Sequence, residues 1–385
     1  MTAVRIPYGR QWIDDNDVAA VVEVLRSDWL TQGPTLDRFE RAIASYCGAA
    51  HACAVANATA ALHIACLALD LGPGKRLWTS PNTFLASANC GRYCGAEVDF
   101  VDIDPRTYNL SADRLEEKLA VAARVDRLPH VLVTVDFAGQ PCEADHIAAL
   151  CRQHGVRILE DASHAVGATW EDECVGSGRW ADITVFSFHP VKILTTGEGG
   201  MALTNDAELQ RRLAMLRSHG MVRDAAHLGR TDQGAWYYEQ QALGFNYRMT
   251  DMQAALGLSQ LHRLDEFLAA RRRLAQRYDG LLAELPVVRP WQAPEGRSAF
   301  HLYPIQVPPE DRRRVFDGLR ARGIGVQVHY IPVHLQPYYR ALGFKDGGFP
   351  AAERYYEGAI SLPMYAALSD GEQDAVVDAL RAELS

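Results

Sequence analysis

Between residues 52 and 160 short apolar runs alternate with segments long enough to be helices, and few folds accept that rhythm. The runs fall at 52–56, 77–80, 98–103, 131–135 and 156–160, with helix-length stretches such as 58–69 and 143–154 between them. Parallel strands need crossover connections of about a dozen residues or more, so the pattern predicts crossover units that build a mostly parallel sheet with helices on its faces. Two further runs, 183–188 and 201–203, flank a Gly-rich stretch and fit an internal hairpin or sheet pair. Upstream, after an extended arm, residues 14–26 read as a helix with acidic residues in its first turn and apolar ones at Val18, Val21, Val22 and Leu25. A second helix is expected over 35–46, stopped by Gly48.

The 385-residue length exceeds what one core usually supports. A long amphipathic stretch from 252 to about 285 leads to Pro286, after which Pro290, Pro294, Pro304, Pro308 and Pro309 interrupt the chain. The domain change is placed in that helix. A large domain is expected over 1–255, N-terminal arm included, and a smaller one over 256–385 that begins within the linking helix. Strands at 300–307 and 325–330 with helices near 311–322, 351–359 and 369–384 make the smaller domain α+β.

Composition removes several function classes. A net charge of -9 argues against a general nucleic-acid binder. The eight cysteines are scattered through apolar segments without a paired C-x-x-C set, which reads as reduced thiols of the cytoplasm. Cys90 and Cys94 lack a second ligand pair at zinc spacing, and His301, His329 and His334 show no ordered ligand spacing, so no metal is expected. No apolar run of about 18 residues is present and residues 1–7 carry no signal core, so no membrane association is expected. The basic residues Arg312, Arg313, Arg314, Arg320 and Arg322 read as a solvated helix face.

Three segments carry chemistry. In Val55-Ala56-Asn57-Ala58-Thr59-Ala60 an apolar strand runs into small residues at a helix start, where free N–H groups and the helix dipole would receive an anion. In Ile158-Leu159-Glu160-Asp161-Ala162-Ser163-His164 a buried-looking strand ends in two carboxylates, at the strand end where ligands bind in open α/β sheets. In Phe186-Ser187-Phe188-His189-Pro190-Val191-Lys192 a lysine follows a strand among apolar and small residues, and burial there favours the neutral, nucleophilic amine. Alone, these segments read equally as a tight turn, a helix N-cap and a surface lysine. In this order, with Lys192 about 30 residues after Asp161, they supply what pyridoxal phosphate requires.

From about Arg5 to the last helix the chain resembles the fold-type I pyridoxal-phosphate enzymes, and within them the DegT-type sugar-nucleotide aminotransferases. The resemblance implies an α/β fold-type I transferase. It makes Lys192 the covalent anchor of the cofactor, Asp161 the partner of the pyridinium nitrogen, and Ser187 with the amides of Thr59 and Ala60 the phosphate ligands. Phe84 matches the aromatic that stacks on the cofactor ring, and His164 a position beside the ring's hydroxyl. Asn246, in Gly-Phe-Asn-Tyr-Arg, matches an asparagine that reaches the phosphate from the neighbouring subunit, which implies a homodimer with shared active sites. Arg217 and His219 match the family without an assigned role.

Leu30-Thr31-Gln32-Gly33, Arg-Ser-His-Gly-Met at 217–221, Ser-Ala-Phe-His-Leu-Tyr-Pro at 298–304 and Gly-Val-Gln-Val-His-Tyr-Ile-Pro at 325–332 resemble the pseudaminic-acid-pathway branch of that family. That likeness implies amino transfer from L-glutamate to the 4-keto group of a UDP-2-acetamido-2,6-dideoxy-hexos-4-ulose, giving UDP-4-amino-4,6-dideoxy-N-acetyl-β-L-altrosamine. Tyr8, Trp29, His329 and Tyr330 are the substrate-side candidates. Rival readings are transfer to another nucleotide-linked keto sugar and a non-catalytic cofactor-binding regulator. In dehydratases of this fold a histidine replaces the lysine, and position 192 is Lys.

Overall fold

The computed structural model describes residues 5–230 and 232–384. Seven strands make the central sheet: β1 (His51–Val55), β2 (Arg76–Thr79), β3 (Glu97–Phe100), β4 (Val131–Val135), β5 (Arg157–Asp161), β6 (Ile183–Ser187) and β7 (Gly200–Thr204). They lie in the order β1-β7-β6-β5-β4-β2-β3. From β3 to β6 every pairing is parallel, while β7 runs against both β6 and β1. The sheet is therefore mostly parallel, and the two runs around the Gly-rich stretch enter it as neighbours. β4, β6 and β7 are buried along their whole length, which is why they read as continuous apolar runs rather than alternating ones.

Helices cover both faces, α5 (Ala112–Arg124) and α6 (Ala144–His154) among them. α1 (Asp15–Leu25) starts with a capping box between Asp14 and Asp17, and α2 (Pro34–Cys47) ends at Gly48 in the left-handed conformation. α3 (Ala58–Ala68) is buried at nearly every position, packed between the sheet and the helices α4 (Ala86–Tyr93) and α7 (Ala207–Arg217). An all-round apolar helix is what such a central place demands.

The stretch beginning at 252 is not one helix. α8 (Asp251–Leu261) and α9 (Leu264–Leu281) are separated by His262 and Arg263. At the break Arg263 pairs with Asp14 at 3.2 Å and with the buried Asp17 at 2.6 Å, and Gln260 donates to the same Asp17 carboxylate at 2.6 Å. A continuous amphipathic pattern hid this clasp on the first helix. On α8, a Cβ at Gly257 would stand 2.5 Å from the Phe39 ring, so glycine sets how closely α8 approaches α2.

Toward the C-terminus the strands Tyr303–Gln306 and Ala359–Leu362 form a two-stranded antiparallel sheet. The second of these was not foreseen, because its four residues follow directly on the helix Pro350–Gly358 with no breaker between. The strand expected at 325–330 does not form. That segment makes only point contacts, Ile324 with Ile6 and Gln327 with Ser361, and then carries His329 and Tyr330 to the cavity described below. Helices at Arg312–Ala321 and Asp370–Leu384 complete this part. Its apolar cluster joins Tyr303, Ile305, Leu319, Ile360 and Leu380 to Leu274 and Tyr278 of α9 and to Ile6 of the arm.

Arg217 has a structural task. Its Nη1 donates to Glu40 Oε1 at 2.5 Å and to the carbonyl of Ala54 at 2.7 Å, tying α7 to α2 and to β1. The ion pair is nearly buried, so Arg217→Ala strands the Glu40 carboxylate, and a stability loss of about 3 kcal/mol is expected in urea unfolding of the apoprotein. An unchanged midpoint would refute this role. Among the described residues no helix is long and apolar enough to cross a membrane, and no group of three or more His, Cys, Asp or Glu side chains is placed to hold a metal ion.

Candidate active site

The C-terminal ends of β4, β5 and β6 and the turn from β1 into α3 open onto one cavity of about 750 Å³. This is the strand end at which α/β sheets bind ligands. Thr59, Ala60, Phe84, Asp161, His164, Ser187, Lys192, Tyr8, His329 and Tyr330, named from different parts of the sequence, all line it. Asn246 and Trp29 do not. Asn246 is exposed, its Oδ1 accepting from Arg248 Nε at 2.9 Å, and Trp29 is 56% exposed.

At the α3 start Asn57 is the N-cap, and its Oδ1 accepts the N–H of Ala60 at 2.9 Å. Ala60 is thus engaged by its own cap, and the amides of Ala58 and Thr59 are the open donors of the first turn. Gly200 backs this turn: a Cβ there would lie 2.6 Å from the Ala58 nitrogen, so only glycine lets β7 run so close beneath the helix start. Ser187 pairs with Gly200 across the sheet and lines the same cavity. Open amides, a helix dipole and the hydroxyls of Thr59 and Ser187 form a donor set suited to a phosphate.

Asp161 sits buried at the end of β5, its carboxylate held by Ser87 and Ser163. Lys192 lies past the end of β6, in a turn where its N–H donates to the carbonyl of His189 at 2.8 Å. Burial brings its amine down to about 8, with the Asp161 charge working in the opposite direction. A neutral amine is therefore within reach near physiological pH. These residues fit pyridoxal phosphate: a phosphate cradle, an acceptor for a ring N–H and an amine for an aldehyde.

The remaining wall is made of polar-tipped rings. His164 Nδ1 accepts the N–H of Ala138 at 3.3 Å, so its proton belongs on Nε2, which faces the Tyr330 hydroxyl at 3.2 Å. His301 packs on His164 with ring centroids 4.3 Å apart, and its buried Nδ1 has no partner among the described residues. His329 Nδ1 pairs with Ser361 Oγ at 2.9 Å. Burial first, then the positive charge of Lys192, pushes His329 down to about 3 and His164 well below the usual imidazole range. His301 is pushed down by burial and by His164. All three are neutral at pH 7. Phe84, 58% exposed at the cavity mouth with its ring 6.3 Å from that of Tyr330, is no core residue.

Sequence reasoning missed Ser87, Ser163 and His301. Ser163 stands two residues beyond Asp161 and Ser87 three beyond Phe84, so local spacing carried a signal for both. His301 lay in the motif at 298–304, but nothing local gave it a place beside His164. Because Tyr330 reaches His164 through one neutral hydrogen bond, Tyr330→Phe is expected to lower kcat about fivefold to tenfold while cofactor affinity stays within about threefold. An unchanged kcat would remove Tyr330 from the working site.

Residues 11–381 match the DegT/DnrJ/EryC1/StrS aminotransferase family. The chain belongs to this family. It is similar to the spore coat polysaccharide biosynthesis protein SpsC of Bacillus subtilis, 40% identical over 98% of this chain and 96% of that protein. GDP-perosamine synthase of Caulobacter vibrioides is 37% identical over 98% and 97%. The UDP-4-amino-4,6-dideoxy-N-acetyl-beta-L-altrosamine transaminase of Campylobacter jejuni is 35% identical over 97% and 96%. Among solved structures, a putative sugar aminotransferase of Streptococcus pneumoniae in its PMP form superposes with a TM-score of 0.90 at 30% identity, covering 98% of this chain and 99% of that one. Helicobacter pylori PseC, an aminotransferase involved in the biosynthesis of pseudoaminic acid, gives 0.89 at 31% over 98% and 99%. The protein is a pyridoxal-phosphate-dependent sugar aminotransferase.

Proposed function

We propose that the protein transfers the amino group of L-glutamate to the 4-keto carbon of a UDP-linked 2-acetamido-2,6-dideoxy-hexos-4-ulose, giving UDP-4-amino-4,6-dideoxy-N-acetyl-β-L-altrosamine. The observation that carries a sugar acceptor is the uncharged wall of Tyr8, His301, His329 and Tyr330, whose neutral imidazoles and hydroxyls match hydroxyl, carbonyl and acetamido groups. The choice of sugar rests on the likeness to the Campylobacter transaminase and to PseC. A second reading, a GDP-linked 4-amino sugar as product, is favoured by the higher identity to GDP-perosamine synthase.

Bound in the cavity, pyridoxal phosphate supplies an electron sink for the donor's α-carbon. The hydroxyls of Thr59 and Ser187 and the open amides of Ala58 and Thr59 would hold the phosphate, the Ala60 amide being taken by Asn57. Asp161 would accept the ring N–H, and Phe84 and His164, which line the same cavity, would hold the ring. Lys192 anchors the cofactor, and its freed Nζ takes the proton from the glutamate Cα. In the second half-reaction the same amine returns a proton, to C4 of the sugar. Tyr8, His329 and Tyr330, which line the cavity, orient the sugar; Trp29, exposed and outside it, is given no part.

The active unit is a homodimer with shared sites, to which each subunit contributes Asn246 on the other's phosphate. Exposed Trp236 and Leu243 flank that segment and support an apolar contact there. The chain divides into a cofactor domain, 1–255, and a smaller domain, 256–385. Its eight free cysteines support work in the reducing cytoplasm. A panel of UDP-, GDP- and dTDP-linked 4-keto sugars, with glutamate and mass spectrometric detection, tests the acceptor. Turnover of the UDP-linked N-acetyl sugar at least about tenfold above the others in kcat/KM is expected, a margin of about 1.4 kcal/mol in transition-state binding. Preference for the GDP sugar selects the second reading.

A further inference from the structure

Asp161 stands among acids. Burial above all pushes Asp136 and Glu160 above the ordinary carboxyl range; the Glu160 charge adds to the shift of Asp136, while the Thr184 hydroxyl and the Gly176 amide partly hold Glu160 down. Asp136 takes one donor, the Cys142 amide, and Glu160 the Thr184 hydroxyl and the Gly176 amide, whereas Asp161 takes three. Ser87 Oγ donates to Oδ2 at 2.6 Å, while Ser163 donates to Oδ1 through its hydroxyl at 2.5 Å and its N–H at 3.2 Å. Hydrogen bonds donated to a carboxylate favour its charged form. A carboxylate offers about four acceptor positions, so three donors leave room for one more.

The chain of donors extends one step. Thr83 Oγ1 lies 2.7 Å from Ser87 Oγ. Ser87 has a single proton, and the 2.6 Å contact to Asp161 claims it ahead of the 3.5 Å contact to the Phe84 carbonyl. Thr83 must therefore be the donor to Ser87, which polarises the Ser87 hydroxyl toward the carboxylate. Thr83, Phe84 and Ser87 sit on one short segment at the start of α4, so one piece of chain places both the ring at the cavity mouth and the donor on Asp161.

We propose that Ser87 and Ser163, with Thr83 behind Ser87, are positioning residues that hold the Asp161 carboxyl aimed as the acceptor, so that the proton shared with the cofactor ring stays on the ring nitrogen. The inference rests on Asp161 being the ring's partner. Its test therefore carries Asp161→Asn as comparator.

The experiment compares holoenzymes of wild type, Ser87→Ala, Ser163→Ala, the double variant, Ser163→Thr and Asp161→Asn. The cofactor carries an isotope label at its ring nitrogen, whose chemical shift reports protonation by NMR, and kcat and KM for glutamate are measured alongside. In the alanine variants the ring-nitrogen signal is expected to move toward the unprotonated position. Loss of kcat should be roughly tenfold for one hydroxyl and about a hundredfold for both, as hydrogen bonds to a charged group command. KM should change less than about threefold, and Ser163→Thr, which keeps a hydroxyl, should restore both readouts.

A double variant that keeps the wild-type signal overturns the proposal whatever happens to kcat, since a packing defect alone lowers turnover without deprotonating the ring. If Asp161→Asn also leaves the signal unmoved, the assignment of Asp161 itself falls. If Ser87→Ala does not fold, the half-buried Ser163→Ala decides by the same signal.

Discussion

Lys192→Ala is expected to lose transamination altogether, with kcat down by about a thousandfold or more, because one side chain supplies both the covalent anchor and the proton carrier. Lys192→Arg should fail as completely, since a guanidinium does not give up its proton at any working pH. Both variants should still hold cofactor in the cradle of Thr59, Ser187 and the α3 amides, more weakly and without a covalent link. Borohydride reduction followed by peptide mapping separates the cases: label at Lys192 in wild type, none in the variants. The sign of the pH effect follows from burial. With its amine at about 8, Lys192 in the apoprotein is mostly protonated below that pH and mostly neutral above it. Capture of added pyridoxal phosphate should speed up as pH rises through about 8 and level off beyond. Capture that slows over that range, or activity surviving in Lys192→Ala, would sink the assignment.

What was legible in the sequence was what is local. β4, β6 and β7 announced themselves because burial on both faces leaves mostly apolar residues, with only a Thr or Ser among them and no charged residue to break the run. Thr59, Asp161 and Lys192 were findable because each lies within a few residues of a strand end, and strand ends of a parallel sheet converge on one side. The neutral ring wall was not readable as a unit. His164 and His301 touch across 137 positions, and Tyr330 reaches His164 from 166 away. No short-range pattern encodes such a meeting. The break between α8 and α9 escaped for a related reason: the periodicity runs on, and only the long-range clasp of Arg263 on Asp17 reveals it. At the α3 start the sequence marked the right turn but not which amides stay open, because that depends on where Asn57 points its side chain.

Asp161→Asn should cost about a hundredfold to a thousandfold in kcat, the second-largest loss in the site, with little change in the amount of cofactor bound. The replacement keeps size and shape but reverses the hydrogen-bond sense of one atom. If the amide oxygen stays toward Ser163, the amide nitrogen takes the place of Oδ2 and meets the Ser87 hydroxyl, donor against donor. Ser87 must then turn its proton away from the side chain at 161, to Thr83 Oγ1 at 2.7 Å or to the Phe84 carbonyl at 3.5 Å. The amide also carries no negative charge, so nothing holds a proton on the ring nitrogen and the electron sink loses its depth. Asp161→Glu retains the charge on a longer arm, which moves it off Ser87 and Ser163 and into the cavity. It should fall between wild type and Asp161→Asn in kcat. The glutamate half-reaction followed in single turnover isolates the step, because product release does not enter. If that half-reaction runs at the wild-type rate in Asp161→Asn, the carboxylate is not coupled to the chemistry, and the strand-end acid of β5 is there only to cap the turn that follows it.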